Sequence, residues 1–390
     1  MSVKTSNGSA GRLTYVLTSL LLLAPCYWQP RIQGGDLTSH MYNAWLTQWI
    51  ETGGSEGLLM VRQTTNVLFE LLLAGLFRVF NAEFAQRIAV SIAVLTFVWG
   101  AFAFVSVVAG RRPWHLLSCI AIFAYGWVFH MGFFSFYLSL GLCFWILALL
   151  WQPTRRRLAW AIPLGLMAYV AHVLPLLWTV GLVAYLWMAR RTSERVRAYV
   201  TSASLLLMVA VHLWIGRSLF AAVSPRDMRI ATGLDQVWLF DGKYYVVLVG
   251  LLLAWGLMFL EEMHSSGARR LVNGVPFQIC IISAMGVVLL PVAVLIPGVN
   301  HALVYIAERM SLGVAICVCA LLGSAQPRMQ VRYALFLVAL IFFGFLYGDE
   351  RKRNSYEDSR QDTVAQMEVP AASHAASGAI SRSNRTMFWR

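Results

Sequence analysis

Long apolar segments separated by short polar ones dominate the chain. The strong apolar windows lie at residues 13–28, 84–109, 115–130, 132–151, 158–171, 173–189, 199–218, 243–260, 276–297, 309–324 and 333–347. A helix needs about 20 apolar residues to cross a hydrocarbon core of about 30 Å. The pattern therefore predicts an all-α, polytopic transmembrane helical bundle of about eleven spans, in one domain over residues 13–347.

A further apolar segment, Val67–Phe80, is ambiguous because it is short and carries Glu70 and Arg78. Leaving it out of the bilayer places fifteen Lys or Arg in short segments on one side and nine in longer loops on the other. Basic residues favour cytosolic loops. We therefore predict a cytosolic N-terminus at residues 1–12, an outer loop at residues 29–83 and a non-cytosolic C-terminus.

Composition agrees with this picture. Of the 390 residues 59% are apolar and 13% charged, which excludes a soluble globular enzyme, a coiled coil and a disordered chain. The net charge of +13 is spread between apolar windows, which indicates membrane orientation and no nucleic-acid partner. The chain is predicted to lie in a bacterial inner membrane. Residues 348–390, rich in Ser, Ala and Arg, predict a disordered outer tail.

The first outer loop predicts an amphipathic interfacial helix that begins after Gly34-Gly35 and contains Trp45 and Trp49. A narrow polar stripe along it consists of Asp36, His40, Asn43 and Thr47. An Asp directly before a helical run is a common N-cap. Alternatively, Asp36 and His40 lie one turn apart and converge on a ligand, a proton or a metal ion. Val67–Phe80 predicts a second interfacial helix.

Several polar residues are predicted to lie at the outer ends of the spans. They are His130, His172, Arg226, Arg229, Lys243, His301, Glu308 and Arg309. Ionisable groups near a bilayer are costly unless they line a polar cavity, so this sidedness predicts an outer cavity that binds substrate. The arginines and the lysine have the chemistry to hold a phosphate at headgroup depth. The alternatives are interfacial packing for the histidines, and snorkelling, lipid contact or a Glu308–Arg309 pair for the rest.

The order of these parts resembles the type C glycosyltransferases, membrane enzymes that take a sugar from a polyprenyl-phosphate carrier on the non-cytosolic face. One span leads through Trp28-Gln29-Pro30 into a long outer loop with Asp36 at a helix start, and a second helix ends at Phe80-Asn81-Ala82-Glu83 before Arg87. The resemblance implies that Asp36 is the general base or, with His40, a ligand of a divalent cation. Two acidic residues are common at this point of the family, whereas here Leu37 follows Asp36.

A second class of function stays open from the sequence. The same chain could be a non-enzymatic multi-span protein, either a transporter or a scaffold for envelope assembly. A transporter is expected to bury charged residues at the middle of the membrane. The central parts of the apolar windows carry almost none, which favours a site at the interface.

Overall fold

The structure, a computed structural model, describes residues 8–53, 63–218, 220–222, 230–291, 293–295 and 302–377. Arg226, Arg229 and His301, predicted to bind substrate, lie outside the described residues. The described chain is mostly α-helical, as the apolar pattern predicts.

The helices follow in chain order as α1 (Gly8–Leu23), α2 (Leu37–Glu51), α3 (Leu68–Phe77), α4 (Ala82–Ala109), α5 (Leu117–Ala124), α6 (Trp127–His130), α7 (Phe134–Leu150), α8 (Arg155–Ala171), α9 (Val173–Arg191), α10 (Glu194–Ser218), α11 (Tyr245–Ser266), α12 (Ala268–Val272), α13 (Val275–Leu289), α14 (Ile306–Leu322) and α15 (Met329–Ser377). Short 3-10 helices lie at Ala24–Cys26, Trp114–Leu116, Leu234–Val237 and Gly242–Tyr244. Three short strands, β1 (Phe220–Ala222), β2 (Ala293–Leu295) and β3 (Ala302–Val304), pair antiparallel in the order β1-β2-β3.

Five helical segments in the described part of the chain are long and apolar enough to cross a membrane. They are Ala82–Ala109, Val173–Arg191, Glu194–Arg217, Gly242–Ser266 and Met329–Gln361. Five shorter apolar segments accompany them, at Gly11–Cys26, Leu68–Phe77, Trp114–His130, Phe134–Leu150 and Val275–Leu289. These helices indicate a multi-pass protein embedded in a membrane. The number of eleven spans stays a prediction.

The core forms around α4 and α7, which pack closely along their lengths. Gly141 of α7 faces the backbone of Phe97 in α4, and a Cβ at this glycine would lie 2.8 Å from the Phe97 Cα. That distance is too short for any side chain, so only glycine permits the close approach. Phe97, Tyr137 and Phe144 fill the space around this contact and are all buried.

One predicted span is shorter in the structure than its apolar window. The window at residues 276–297 is helical only as far as Leu289, and Leu290 is already extended with ψ of 136°. Pro291 explains the break, because the residue before a proline is driven away from the helical conformation. The chain continues into β2 instead.

The start of the C-terminal tail also differs from the expectation of disorder. Helix α15 continues past its apolar part, and residues 349–361 pack against the first loop and the start of α11. Asn354 accepts a hydrogen bond from the Arg31 backbone N–H at 2.9 Å and donates one to the Arg31 carbonyl at 3.2 Å. Glu350 accepts from the Trp28 indole N–H, and Asp349 binds Lys243 and Tyr244. These bonds hold the outer part of α15 in place although its overall composition is polar.

The opposite end of the bundle is rich in arginine. Arg111, at the end of α4, donates hydrogen bonds to the Ser324 and Ala325 carbonyls between α14 and α15. Arg332 and His115 lie within electrostatic range of Arg111. Three basic residues from segments predicted to be cytosolic thus lie close together, and we call the end of the bundle that carries Arg111, His115 and Arg332 the arginine end.

Candidate functional site

The backbone around Asp36 is fixed to the turn between α6 and α7. The Gly35 N–H donates to the His130 carbonyl at 2.8 Å, and the Asp36 N–H donates to the Met131 carbonyl at 3.0 Å. Gly132 makes this approach possible, because its φ of 79° is in the left-handed region and a Cβ there would collide with the Asp36 nitrogen. The position of Asp36 is therefore set by the turn between α6 and α7 as well as by α2.

The Asp36 side chain is exposed and does not cap α2. Asp36 occupies the N-cap position, but its carboxylate makes no hydrogen bond to the first-turn N–H groups. Of the two roles that the sequence left open, the capping hydrogen bond is not formed. The carboxylate instead stays at the positive end of the helix dipole with its oxygens free to accept a proton or a ligand.

Arg309 is a cation within electrostatic range of Asp36. It lies in the first turn of α14, and its guanidinium stacks on the Phe133 ring at 3.6 Å from the ring centroid. The Asp36 and Glu308 carboxylates both lie within electrostatic range of this guanidinium. Because stacking uses the face of the guanidinium, its N–H donors remain at the edge. The Arg309 Nε has no hydrogen-bond partner in the described part of the chain.

Two neighbours complete the surroundings of Arg309. His172, in the turn between α8 and α9, has a pKa lowered to about 4 because it is buried and because Arg309 is close. Tyr305 precedes α14 in the left-handed conformation with φ of 57°, and its ring contacts those of Trp127 and Phe133. Asp36, His172 and Glu308 thus lie within electrostatic range of Arg309, beside aromatic rings. Substrate binding by this group stays a prediction.

His40 has a different partner from the one that its spacing predicted. Its Nδ1 lies 2.6 Å from Glu70 Oε1 on α3, and its Nε2 lies 3.1 Å from the Gly132 carbonyl. The carbonyl only accepts, so Nε2 carries a proton and donates it. Ser135 donates to the other Glu70 oxygen at 3.2 Å. Both ring nitrogens are engaged, and the pair joins α2 to α3 and α7.

No metal site takes shape around this pair. In the described ranges, no three His, Cys, Asp or Glu side chains form a group that could hold a metal ion. The divalent-cation role suggested for Asp36 and His40 therefore has no third ligand among those residues. Asn43, the next residue of the predicted polar stripe, is exposed.

His130 and Lys243 belong to a different part of the outer end. The His130 Nδ1 donates to the Gln33 carbonyl at 3.0 Å, and its ring contacts Phe240. Lys243 pairs with Asp349 of α15 and, at 3.3 Å, with Asp241. The structure places both at the contact between the first loop, the start of α11 and the outer part of α15.

A buried carboxyl that the sequence analysis did not single out, Asp235, binds the start of α14. Asp235 Oδ2 accepts from Ser311 Oγ at 2.8 Å and from Gln236 Nε2 at 3.0 Å. Burial raises the pKa of Asp235 to about 7. Gln236 also donates to the Glu308 carbonyl at 2.8 Å and accepts from the Val128 N–H at 3.2 Å. This amide fixes the first turn of α14 against α6.

Comparison of the chain with models of known protein families, with curated proteins and with solved structures gives no match. The function therefore has to be argued from the geometry of Asp36 and Arg309.

Proposed function

We propose that this chain is a multi-pass membrane glycosyltransferase that transfers a sugar from a polyprenyl-phosphate donor on the non-cytosolic face. The observation that carries the proposal is that an exposed, uncapped Asp36 carboxylate lies within electrostatic range of the Arg309 guanidinium beside a membrane-embedded bundle. Supporting it is the resemblance to the type C glycosyltransferases in the order of the N-terminal parts.

The chemistry assigns one task to each charged group. A new bond forms between the acceptor oxygen and the sugar C1 as the bond from C1 to the phosphate oxygen breaks. The acceptor proton passes to the Asp36 carboxylate, which acts as general base. The electron pair leaves with polyprenyl phosphate, and Arg309 stabilises the negative charge that develops on that leaving group.

The surroundings suit these roles. Phe133 and the backbone bonds of Gly35 and Asp36 hold both charges in place before substrate binds. Groups fixed in advance need no reorganisation during the reaction, which is the main source of electrostatic catalysis. Apolar helices beside the site provide a lipid-facing surface along which a polyprenyl chain can lie.

The direct test measures release of polyprenyl phosphate by the purified protein in nanodiscs, with a panel of polyprenyl-phosphate-linked hexoses and sugar acceptors. Asp36→Asn keeps the shape but cannot take the proton, so we expect transfer to fall by about 10²- to 10⁴-fold. Glu83→Gln is the matched control, since Glu83 is 71% exposed and its ion-pair partner within the described part of the chain is Arg87. Unchanged turnover in Asp36→Asn would remove Asp36 as base. Donor binding without release in the wild type would favour the non-enzymatic alternative.

The orientation needs a separate measurement. We propose a bacterial inner-membrane location with the first loop outside and the arginine end in the cytosol. Thr38→Cys and Ser265→Cys place exposed thiols at the two ends. A membrane-impermeant maleimide added to intact spheroplasts should label position 38 and leave position 265 unlabelled until lysis. The reverse pattern would place the site in the cytosol and end the proposal.

A further inference from the structure

A polar cavity lies between the first loop and the outer part of α15. Its volume is about 540 Å³, and its walls include Arg31, Gln33, Thr38, His130, Arg353 and Arg360. Leu37, Thr38 and Met41 of α2 face it, whereas Asp36 does not line it. Arg309 does not line it either. The cavity is therefore separate from the site of Asp36 and Arg309.

The arginines that line this cavity differ in whether they have a carboxylate partner. Arg31 pairs with Asp358 at 2.7 Å and with Glu357 at 3.8 Å. Arg353 and Arg360 have no carboxylate within 4.0 Å in the part of the chain that the structure describes. Arg353 stacks on the Phe240 ring at 4.0 Å. This contact fixes the guanidinium by its face and leaves its N–H edge available to an anion.

His130 adds a group of the opposite hydrogen-bonding character. Its side chain is only 7% exposed, and its Nδ1 donates to the Gln33 carbonyl at 3.0 Å. A neutral imidazole with a proton on Nδ1 presents a lone pair on Nε2. No donor reaches this Nε2 from the described residues, and Glu350 Oε1 lies 3.9 Å from it. A buried acceptor without a donor is costly, so His130 lacks one hydrogen-bond donor.

We propose that this cavity binds a hydrogen phosphate group, in which unprotonated oxygens accept from Arg353 and Arg360 and the P–OH donates to His130 Nε2. A phosphate monoester has a second pKa of about 6 and so keeps a proton in weak acid. A sulfate ester of the same shape and charge has no proton to donate. The first-turn N–H groups of α2 add favourable dipole at the same wall. This site does not depend on the transfer reaction proposed above.

The phosphate can belong to a lipid headgroup or to a soluble compound, because both carry the same group at this depth. Two binding assays separate the sources. Calorimetry at pH 5.5 with the full chain in phosphatidylcholine nanodiscs measures binding of methyl phosphate and of methyl sulfate. Native mass spectrometry of the chain extracted from mixed vesicles measures retention of phosphatidic acid relative to phosphatidylcholine. Saturable methyl phosphate binding supports a soluble source, and retained phosphatidic acid supports a lipid source.

The variants make the assignment specific. Arg353→Gln with Arg360→Gln should weaken phosphate binding, in whichever assay detects it, by about tenfold or more, since charged hydrogen bonds are lost. Arg351→Gln removes an exposed charge from the same turn but not from the cavity wall, so its affinity should equal that of the wild type. Size-exclusion profiles confirm that the variants fold. Absence of both binding signals, equal affinity for methyl phosphate and methyl sulfate, or equal losses in the two variants would overturn the proposal.

Discussion

The pair of His40 and Glu70 should contribute far more to stability than a second ion pair between the same two helices. His40 and Glu70 side chains are 12% and 20% exposed, whereas Glu51 and Arg78, which also join α2 to α3, are 43% and 63% exposed. Both pairs join the same two helices, so the main difference between them is how deeply the side chains are buried. Exposed pairs contribute about 0–1 kcal/mol, and buried charges that lose a partner cost several times more.

Glu70→Ala removes two hydrogen bonds at once. The bond to His40 is charge-assisted, and the bond from Ser135 ends at the second carboxylate oxygen. At about 1.5 kcal/mol for each bond to a charged group, the expected loss is about 3 kcal/mol. Glu70→Gln should lose about 1 kcal/mol or less, because its amide can donate to His40 Nδ1 and its carbonyl can accept from Ser135. Glu51→Ala should lose less than about 0.5 kcal/mol.

The chain itself supplies the assay. All six cysteines are free and five are buried, so a thiol-reactive dye reports unfolding as fluorescence on heating. The midpoints should fall in the order wild type, Glu51→Ala, Glu70→Gln and Glu70→Ala, with a clear gap before the last. Similar midpoints for Glu51→Ala and Glu70→Ala would refute the argument from burial. They would also show that α2 does not depend on Glu70 for its position.

Three further predictions use the midpoint of thermal unfolding, followed by tryptophan fluorescence because a thiol-reactive dye loses reactivity in acid. The pKa of Asp235 is about 7 in the folded protein against an ordinary value of 3.8. Its contribution to stability is therefore complete below pH 3.8 and is lost as the pH rises through 7. Asp235→Asn should remove this loss of stability, which is at most about 4 kcal/mol. The pKa of His172 is about 4 in the folded protein against an ordinary value of 6.5. The stability that this neutral imidazole gives above pH 6.5 is therefore lost as the pH falls through 4, and His172→Asn should reduce that loss. Gly132→Ala should lower the midpoint strongly, because the new Cβ strains a positive φ and collides with Asp36, whereas Gly165→Ala meets nothing within 4 Å and should be nearly neutral.

Local sequence patterns predicted the local structure well. The Gly34-Gly35-Asp36 sequence gives a helix that begins at Leu37, and Val67–Phe80 contains the helix Leu68–Phe77. These features depend on turn chemistry and on helical periodicity, which act within a few residues. The apolar windows also coincide with apolar helices, although Pro291 ended one of them early.

The tail shows where averaged composition fails. Residues 348–390 are polar as a whole, and that average predicted disorder. Glu350 and Asn354, four residues apart, lie on one face of α15 and are only 2% and 3% exposed. A regular helical spacing of polar side chains beside a span was the available signal. Its partners, Trp28 and the Arg31 backbone, are far away in sequence and could not be identified from it.

In the candidate site, too, features set by nearby residues were predictable and contacts between distant residues were not. Sequence reasoning found Asp36 and Arg309 separately, each from its place beside a predicted span, but paired Asp36 with His40 because they lie one helical turn apart. In the structure Glu70 competes for His40 and holds it on the inner side of α2. Asp36 makes no capping hydrogen bond to its own helix and lies within electrostatic range of Arg309. The engagement of His40 therefore keeps Asp36 available for chemistry, and a variant that frees His40 should impair transfer even with Asp36 and Arg309 intact.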